Sequence, residues 1–245
     1  MPFQRRVSNP SAELVAPCTR LRRAASFGLA FLPLTRFPHH PDVTAIPDAI
    51  LVFVRAPEAG RVKTRLAAEI GAEAALRVYR RLAEHAVAEA RALGGEVALR
   101  IHFTPAEGGD SVRAWLGADA AYLPQVDGDL GARMRAAFEA AFAVGHPRVV
   151  IIGSDLPDLS ADMLRRALRL LDEHPAVLGP AADGGYYLLG LREMVPGVFD
   201  GIAWSTDGVL AATLARLRAA GCEPAMLEPL RDVDVAADLP PGWHE

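Results

Sequence analysis

The chain has 245 residues, a formal net charge of −4 and a hydrophobic fraction of 51%. This length suits one α/β domain with an appendage, and the slightly acidic balance argues against a general nucleic-acid-binding protein, which normally carries a basic excess. Cys18 and Cys222 lie far apart, which excludes a disulfide framework and a zinc site made of cysteines alone. No run of about 18 uncharged apolar residues occurs, so we expect no membrane-spanning helix and a cytoplasmic protein.

The first 47 residues differ in character from the rest, because they are rich in arginine and proline and poor in acids. An apolar stretch over residues 24–34 resembles the core of a signal peptide, but Ser26 and Gly28 interrupt it and it lacks a convincing cleavage site. We therefore expect residues 1–47 to be a disordered or poorly packed extension, with a misassigned start as one origin for it. The functional domain is then expected over residues 48–245.

A basic loop follows the first predicted strand. The apolar run over residues 50–54 stops at Arg55, and a loop containing Gly60 then delivers Lys63 and Arg65 into a helix-like segment. A buried strand that leads through such a loop into a helix is an arrangement that binds phosphate groups. The spacings of a P-loop and of a dinucleotide-binding loop are both absent. The segment therefore predicts a nucleotide or sugar-phosphate site of another kind, and the alternative is a solvated basic turn.

Strands and helices alternate along the rest of the chain. Hydrophobic periodicity predicts helices over residues 67–93, 111–116, 130–144, 162–173 (with Ser160 as N-cap) and 206–220, and strands over residues 96–103, 121–123, 149–152, 176–178, 186–191 and 225–227. This alternation predicts an α/β fold with a mostly parallel sheet covered by helices on both faces. In such sheets ligands bind beyond the carboxyl ends of the strands. Polar clusters follow several of the predicted strands, so we expect them to converge on one crevice.

Two of these clusters contain candidate metal ligands. Asp155 directly follows the β-branched run at residues 149–152, and Asp234 ends an Asp-Val-Asp segment near the C-terminus. Mg²⁺ and Mn²⁺ prefer oxygen ligands and often bridge one or two carboxylates to substrate phosphates. The alternatives are a turn or N-cap role for Asp155 and an N-cap role for Asp234 before residues 236–239.

A glycine-containing turn and an aromatic residue are candidates for substrate binding. Asp183, Gly184 and Gly185 join two apolar strands, and the glycines permit a positive φ and a ligand close to the backbone. Tyr186 is a candidate for stacking on a sugar or base, although a structural hairpin explains the glycines equally well. Trp204 precedes a predicted helix, where Ser/Thr capping is the alternative explanation of its segment.

The clusters taken together, in chain order, resemble a known family. The segments at residues 53–66, 127–134, 151–159, 179–190, 204–206 and 232–234 look like the bacterial GT-A-type glycosyltransferase-like family associated with arsenosugar biosynthesis, which belongs with the nucleotide-diphospho-sugar transferases. The resemblance covers about residues 49–239. It implies a GT-A fold, a Rossmann-like α/β/α sandwich, and a transferase that moves a sugar from a nucleotide-sugar to a small-molecule acceptor with Mg²⁺ or Mn²⁺.

The resemblance also implies roles for individual residues. Lys63 and Arg65 match the K-T-R-L positions at which contact with the nucleotide phosphates is expected. Asp155 stands where other GT-A enzymes have a D-x-D metal carboxylate, and Asp234 matches an acid that joins the metal in related sugar-nucleotide synthetases. Arg55 replaces a more usual lysine, which keeps the charge and changes its geometry.

On the acceptor or sugar side, Asp183, Gly184 and Gly185 match a D-G-G-Y motif, and Asp183 is our candidate for the general base of an inverting reaction. The K-T-R-L loop and G-S-D-L-P turn also resemble nucleotidyltransferases such as phospholactate guanylyltransferase, which join a nucleoside triphosphate to a phosphorylated small molecule and release pyrophosphate. Both reactions need metal and cations to stabilise phosphate charge. A third hypothesis is an inert binding or regulatory protein that retains the fold.

Overall fold

A seven-stranded β-sheet runs through residues 46–243, the part of the chain that the computed structural model describes. The strands are β1 (Asp48–Arg55), β2 (Val97–Thr104), β3 (Ala121–Pro124), β4 (Val149–Ile152), β5 (Ala176–Pro180), β6 (Tyr186–Leu191) and β7 (Ala225–Met226). The helices are α1 (Thr64–Ile70), α2 (Ala72–Arg91), α3 (Gly109–Leu116), α4 (Leu130–Val144), α5 (Ala161–Glu173) and α6 (Val209–Ala219).

The strand order is β3-β2-β1-β4-β6-β5-β7. All neighbouring strands are parallel except β6, which is antiparallel to both β4 and β5. The predicted mostly parallel sheet is therefore confirmed. The chain moves outward from β1 to β2 and β3 and then returns to β4 on the other side of β1, so the strand order reverses between β1 and β4. Such a reversal is the usual position of a ligand crevice in an open sheet.

Helices cover both faces of the sheet, as predicted. One core cluster joins the sheet to α2 and α5 and includes Leu164, and the other joins it to α4 and α6 and includes Phe138 and Leu217. In β1, Ile50 and Val52 pack in the first cluster while the neighbouring Leu51 packs in the second. Because both faces of β1 are buried, residues 49–54 form an unbroken apolar run and do not alternate with polar residues.

One predicted helix is wrong in its continuity. The helix expected over residues 67–93 is two helices, α1 and α2, with a break at Gly71. Gly71 has a φ of 85°, which other residues rarely adopt, and its N–H donates to the carbonyl of Ala67 at the end of α1. At α5 the predicted cap is confirmed, because the Ser160 hydroxyl accepts a hydrogen bond from the Met163 N–H at 3.3 Å.

The predicted extension at residues 1–47 lies outside the described residues, apart from Ile46 and Pro47. Its character stays a prediction. Among residues 46–243, no helix is both long enough and apolar enough to cross a membrane.

Candidate functional site

The basic side chains of the loop between β1 and α1 differ in their exposure to solvent. Lys63, the residue before α1, has φ 47° and ψ 49°, a left-handed conformation that costs energy for a residue with a side chain. Gly60 has a φ of 76° and lies in the exposed part of the loop. The side chains of Arg61 and Arg65 are 75% and 76% exposed, whereas that of Lys63 is only 5% exposed. The loop therefore buries one cation and presents others to solvent, with Arg55 exposed at its start.

Lys63 is the single lysine of a chain that otherwise uses arginine. Its Nζ lies 2.7 Å from the carbonyl oxygen of Val233, 2.8 Å from Oδ2 of Asp155 and 3.8 Å from Oδ1 of Asp234. An ammonium group has three donors on one compact atom, so it can reach three acceptors in a small space. A planar guanidinium has a different donor geometry, so we expect arginine to fit this position less well.

The two predicted metal carboxylates meet at this ammonium group. Asp155 follows β4, and its carbonyl oxygen accepts a hydrogen bond from the Val233 N–H at 3.1 Å, which fixes the C-terminal segment beside it. Asp234 Oδ2 also accepts a hydrogen bond from Nη1 of the Arg65 guanidinium at 2.9 Å. The carboxylate side chains are 41% and 39% exposed. The structure thus brings together four of the predicted site residues, drawn from three segments far apart in sequence.

The alternative capping roles do not describe these two acids. Ser160 caps α5, while the Asp155 side chain points to Lys63. At the short turn over residues 236–238, the carboxylate of Asp238 accepts hydrogen bonds from the N–H groups of Asp234 and Val235, each at 3.1 Å. The Asp234 side chain is therefore free of that task and contacts the basic residues.

The carboxylates fit a divalent cation that is shared with a ligand. Among the described residues, no group of three or more His, Cys, Asp and Glu side chains could hold a metal ion by itself. Mg²⁺, however, is commonly bound by one or two carboxylates together with substrate phosphates. Asp155 and Asp234 converge and are partly open to solvent, so their donor set suits an ion that arrives with a polyphosphate.

The glycine-containing turn joins β5 to β6 and is fixed by close backbone contacts. Asp183 Oδ1 accepts a hydrogen bond from the Gly185 N–H at 2.8 Å. Gly184 has a φ of 88°, and a Cβ atom there would lie 2.2 Å from the carbonyl oxygen of Asp207. Burial raises the pKa of Asp232, and the charges of Asp183 and Asp234 raise it further. The Ala182 N–H also donates to the carbonyl of Leu230 at 2.9 Å, so the turn lies beside the segment that leads to the C-terminal acids.

The two aromatic candidates pack against the core to different extents. The Tyr186 hydroxyl lies 3.8 Å from Sδ of Met134, and burial raises its pKa. Trp204 packs on Phe199 with a centroid distance of 6.4 Å and covers Gly131, where a Cβ atom would lie 2.5 Å from the indole. Substrate binding stays a prediction for both residues, and stacking by Tyr186 needs a ring face that its contacts leave free.

Two groups at the site were not predicted from the sequence. The carbonyl of Val233 binds Lys63 through the backbone, and a backbone atom leaves no signal in a sequence. Tyr79 lies on the buried, apolar face of α2, yet its hydroxyl bonds to both backbone polar groups of Arg55. The sequence signal for this role was that Tyr79 carries the one hydroxyl on an otherwise apolar helix face.

The fold and sequence are similar to solved transferase structures. A "putative nucleotide-diphospho-sugar transferase" from Desulfovibrio desulfuricans G20 is 38% identical with a TM-score of 0.72, covering 77% of this chain and 82% of that chain. A CMP:2-keto-3-deoxy-manno-octonic acid synthetase complexed with CTP is 14% identical with a TM-score of 0.52, covering 78% and 94%. A 4-diphosphocytidyl-2C-methyl-D-erythritol synthase from Anaerococcus prevotii DSM 20548 is 9% identical with a TM-score of 0.51, covering 78% and 94%. The last two show the fold alone.

No curated protein matches the sequence. A family described as "Uncharacterized protein conserved in bacteria (DUF2064)" matches residues 86–206, a range that contains Asp155, the β5–β6 turn and Trp204. The association with arsenosugar biosynthesis stays a prediction. With this match and the 38% identity to the Desulfovibrio protein, the chain belongs to the DUF2064 family.

Proposed function

We propose that this protein is a metal-dependent transferase that moves the sugar of a nucleotide-diphospho-sugar to a small-molecule acceptor. The observation that carries the proposal is the buried Lys63 ammonium, which is shared by Asp155 and Asp234 beside the point where the strand order reverses. The similarity to the Desulfovibrio protein supports the donor class. A buried cation and two converging carboxylates are the groups that a diphosphate with its counter-ion requires.

The chain's cations would hold the diphosphate. Lys63 reaches the donor from inside the site, while Arg65 approaches from the exposed side of α1. Arg55 ends β1 and Arg61 lies on the loop that follows, and the Arg55 guanidinium donates a hydrogen bond to the Arg61 carbonyl at 3.3 Å. These positive charges stabilise the negative charge that develops on the leaving diphosphate as the bond to the sugar breaks.

The carboxylates would hold the cation that accompanies the donor. Asp155 and Asp234 are the proposed ligands of Mg²⁺ or Mn²⁺, which when bound would neutralise phosphate charge on the leaving group. Lys63 is paired with both acids. Donor binding is therefore expected to redistribute the lysine's contacts, because the phosphates offer it new acceptors.

The acceptor would enter beside the β5–β6 turn. Its hydroxyl oxygen forms the new bond to the anomeric carbon, and the bond to the diphosphate breaks with its electron pair on the phosphate oxygen. In an inverting reaction the hydroxyl proton passes to a carboxylate. Asp183 is our candidate for that base, since its side chain lies on the turn and is held by the Gly185 N–H.

Nucleotidyl transfer is the second candidate. The two synthetases with this fold act on cytidine nucleotides according to their names, and one was solved with CTP. The same cations and carboxylates would serve a nucleoside triphosphate, with attack at its α-phosphorus and release of pyrophosphate. The two functions therefore differ in the released product and share the phosphate-binding groups.

The test uses the full-length protein with UDP-, GDP-, CDP- and ADP-sugars and the corresponding triphosphates, each with and without Mg²⁺ or Mn²⁺. A ligand at 100 times its Kd stabilises the folded state by about 2.7 kcal/mol, which a thermal unfolding curve resolves. Metal-dependent stabilisation by a nucleotide-sugar and release of a nucleoside diphosphate support glycosyl transfer. Preference for a triphosphate and release of pyrophosphate support nucleotidyl transfer, and stabilisation by neither class contradicts both.

The single lysine allows the ligand to be located. Acetylation of amines, followed by mass spectrometry of the peptide at residues 62–65, reports on Lys63 alone. We expect the stabilising ligand with its metal to lower Lys63 labelling at least fivefold. A ligand that stabilises the protein and leaves Lys63 labelling unchanged would contradict the phosphate-binding role of this residue.

A further inference from the structure

Strands β1 and β4 separate before β1 ends. Strand β4 pairs with β1 only from Ala49 to Val52, whereas β2 pairs with β1 as far as Arg55. After Ile152 the chain leaves β4 and forms the turn that contains Asp155. The last residues of β1 therefore have a neighbouring strand on one side only, and the gap lies between the two segments that supply Lys63 and Asp155.

The backbone of Arg55 faces this gap. The Ala56 N–H donates to the Thr104 carbonyl at 2.8 Å on the β2 side. Since the backbone groups of successive strand residues point to opposite sides, the N–H and C=O of Arg55 point toward β4, where no strand remains. Backbone polar groups that are shielded from water without a partner are costly, and these groups are partly buried, so they need a partner other than a strand.

The hydroxyl of Tyr79 is the partner of both backbone groups of Arg55. Its hydroxyl oxygen accepts a hydrogen bond from the Arg55 N–H at 2.6 Å, and its O–H donates to the Arg55 carbonyl at 2.9 Å. The residue is 4% exposed, and its ring packs on Trp115 with a centroid distance of 5.9 Å. Burial raises the pKa of Tyr79, and the negative charge of Asp155 raises it further, so the hydroxyl stays protonated.

We propose that Tyr79 is a positioning residue of the transfer site. Its hydroxyl fixes the end of β1 in the gap beside β4 and thereby sets the spacing between the phosphate-binding loop and Asp155. A site whose groups are held in place before the ligand arrives loses less conformational entropy on binding. The role in ligand binding rests on the proposed function, whereas the role in fixing the backbone rests on the hydrogen bonds alone.

The test compares Tyr79→Phe with Tyr187→Phe in the full-length protein. Tyr187 is a matched control, since it is also 4% exposed and its hydroxyl donates to one backbone carbonyl, that of Glu228, at 3.1 Å. Calorimetry with UDP, GDP, CDP and ADP, each with Mg²⁺, measures affinity, and amide hydrogen exchange measures the order of residues 55–65. We expect Tyr79→Phe to raise the Kd of the bound diphosphate at least tenfold and to accelerate exchange in residues 55–65, while Tyr187→Phe changes the Kd less than twofold.

Equal affinities in the two variants would overturn the proposal, as would equal exchange rates in residues 55–65. A measurement on the wild-type protein covers the case in which Tyr79→Phe does not fold. The Arg55 amide should exchange as slowly as the amides inside β1, and exchange at the rate of an exposed loop would overturn the positioning role. If the wild-type protein binds none of the four diphosphates, the proposed function fails, and the exchange rates still decide whether Tyr79 fixes the end of β1.

Discussion

The two halves of the sheet build the edge that holds the candidate site in different ways. In the half formed by β3, β2, β1 and β4 all strands are parallel, and the loops after β1 and β4 are linked by the ion pair between Lys63 and Asp155. In the half formed by β6, β5 and β7, the antiparallel β6 places a hairpin turn at the same edge. That turn is fixed by the close approach of Gly184 to the Asp207 carbonyl.

The two halves are therefore fixed by different interactions, ion pairs in the first half and close backbone packing at a glycine in the second. The parallel half depends on opposite charges that a substitution can remove while the local shape is kept. The hairpin half depends on the absence of a side chain at Gly184, so the methyl group of an alanine there should disrupt the turn. Neutral substitutions should therefore reduce function most in the first half, and enlarging substitutions should reduce stability most in the second.

Asp155→Asn tests the first half with the largest expected effect. The amide keeps the shape of the side chain and removes the charge proposed to bind the metal ion, so we expect kcat/KM to fall about 1000-fold, or about 4 kcal/mol. Steady-state kinetics with the identified donor measures the change. Asp158→Asn, at an exposed acid three residues later, serves as the control. A folded Asp155→Asn protein with activity near that of the control would contradict the metal-ligand role.

Gly184→Ala tests the second half. The new Cβ atom would meet the Asp207 carbonyl at 2.2 Å in a backbone with a φ of 88°. We expect the free energy of unfolding to fall by about 3 kcal/mol, which lowers Tm by about 6–12 °C.

Thermal unfolding of Gly221→Ala isolates the contribution of backbone strain. Gly221 has a φ of 76°, and a Cβ atom there has no other atom within 4 Å. The strain alone should cost about 1 kcal/mol. Equal destabilisation by the two substitutions would show that the contact with Asp207 does not fix the turn.

Low pH should reduce the stability of the parallel half, because His102 on β2 is buried and gains a proton in acid. This histidine is 3% exposed and stacks on Phe53 at a centroid distance of 5.5 Å, and burial, with a further effect of Arg100, lowers its pKa from 6.5 to about 4. Because the folded protein binds this proton less tightly than the unfolded chain, the stability that His102 provides is complete above pH 6.5. That stability is lost as the pH falls toward 4, and the loss is about 2 kcal/mol at pH 5.

Urea unfolding at pH 8, 6.5 and 5 measures this loss. His102→Leu removes the titrating group with a side chain of similar size, so its stability should fall less between pH 8 and pH 5 than that of the wild-type protein. Parallel curves for the two proteins would contradict the low pKa of His102.

Lys63→Arg tests geometry at constant charge and has the smallest expected effect. The side chain is 5% exposed and reaches three acceptors, so a planar guanidinium should fit poorly. We expect the Kd of the bound nucleoside diphosphate with Mg²⁺ to rise about tenfold, or about 1.4 kcal/mol. Calorimetry should show a smaller loss for Arg65→Lys, because Arg65 is 76% exposed. A larger loss for Arg65→Lys would place the main phosphate contact outside the buried site.

Much of the fold follows from patterns that are local in the sequence. Strand β4 coincides with a β-branched run, and the carboxyl ends of parallel strands meet at one edge, which is why Asp155 and Lys63 were expected together. The break at Gly71 was not expected, since a single glycine inside a helical pattern is often tolerated. Whether it ends a helix depends on where the next helix must pack, and that information is not local.

The finer arrangement of the site depends on contacts between distant segments. Asp234 and Asp238 are both plausible caps for the turn at residues 236–238, and Arg65, far away in the sequence, contacts one of them. The Tyr79 hydroxyl likewise bonds to Arg55 because β4 stops pairing with β1 at Val52, and the sequence around Tyr79 does not show where that pairing ends. Such partners are hard to predict from the types of the residues, because the tertiary structure determines which distant segments come into contact.

The hydrogen bond between Lys63 and Val233 spans 170 residues of chain. At the usual 5–20 residues per second, a ribosome needs roughly 10–30 s to synthesise the stretch between them. During that interval β1, its loop and most of the sheet can already emerge, but the lysine lacks its carbonyl acceptor and Asp234 does not yet exist. A nascent chain interrupted before residue 233 therefore carries most of the core without an assembled site. The proposed ability to bind a nucleotide ligand would then be one of the last properties that the protein acquires during its synthesis.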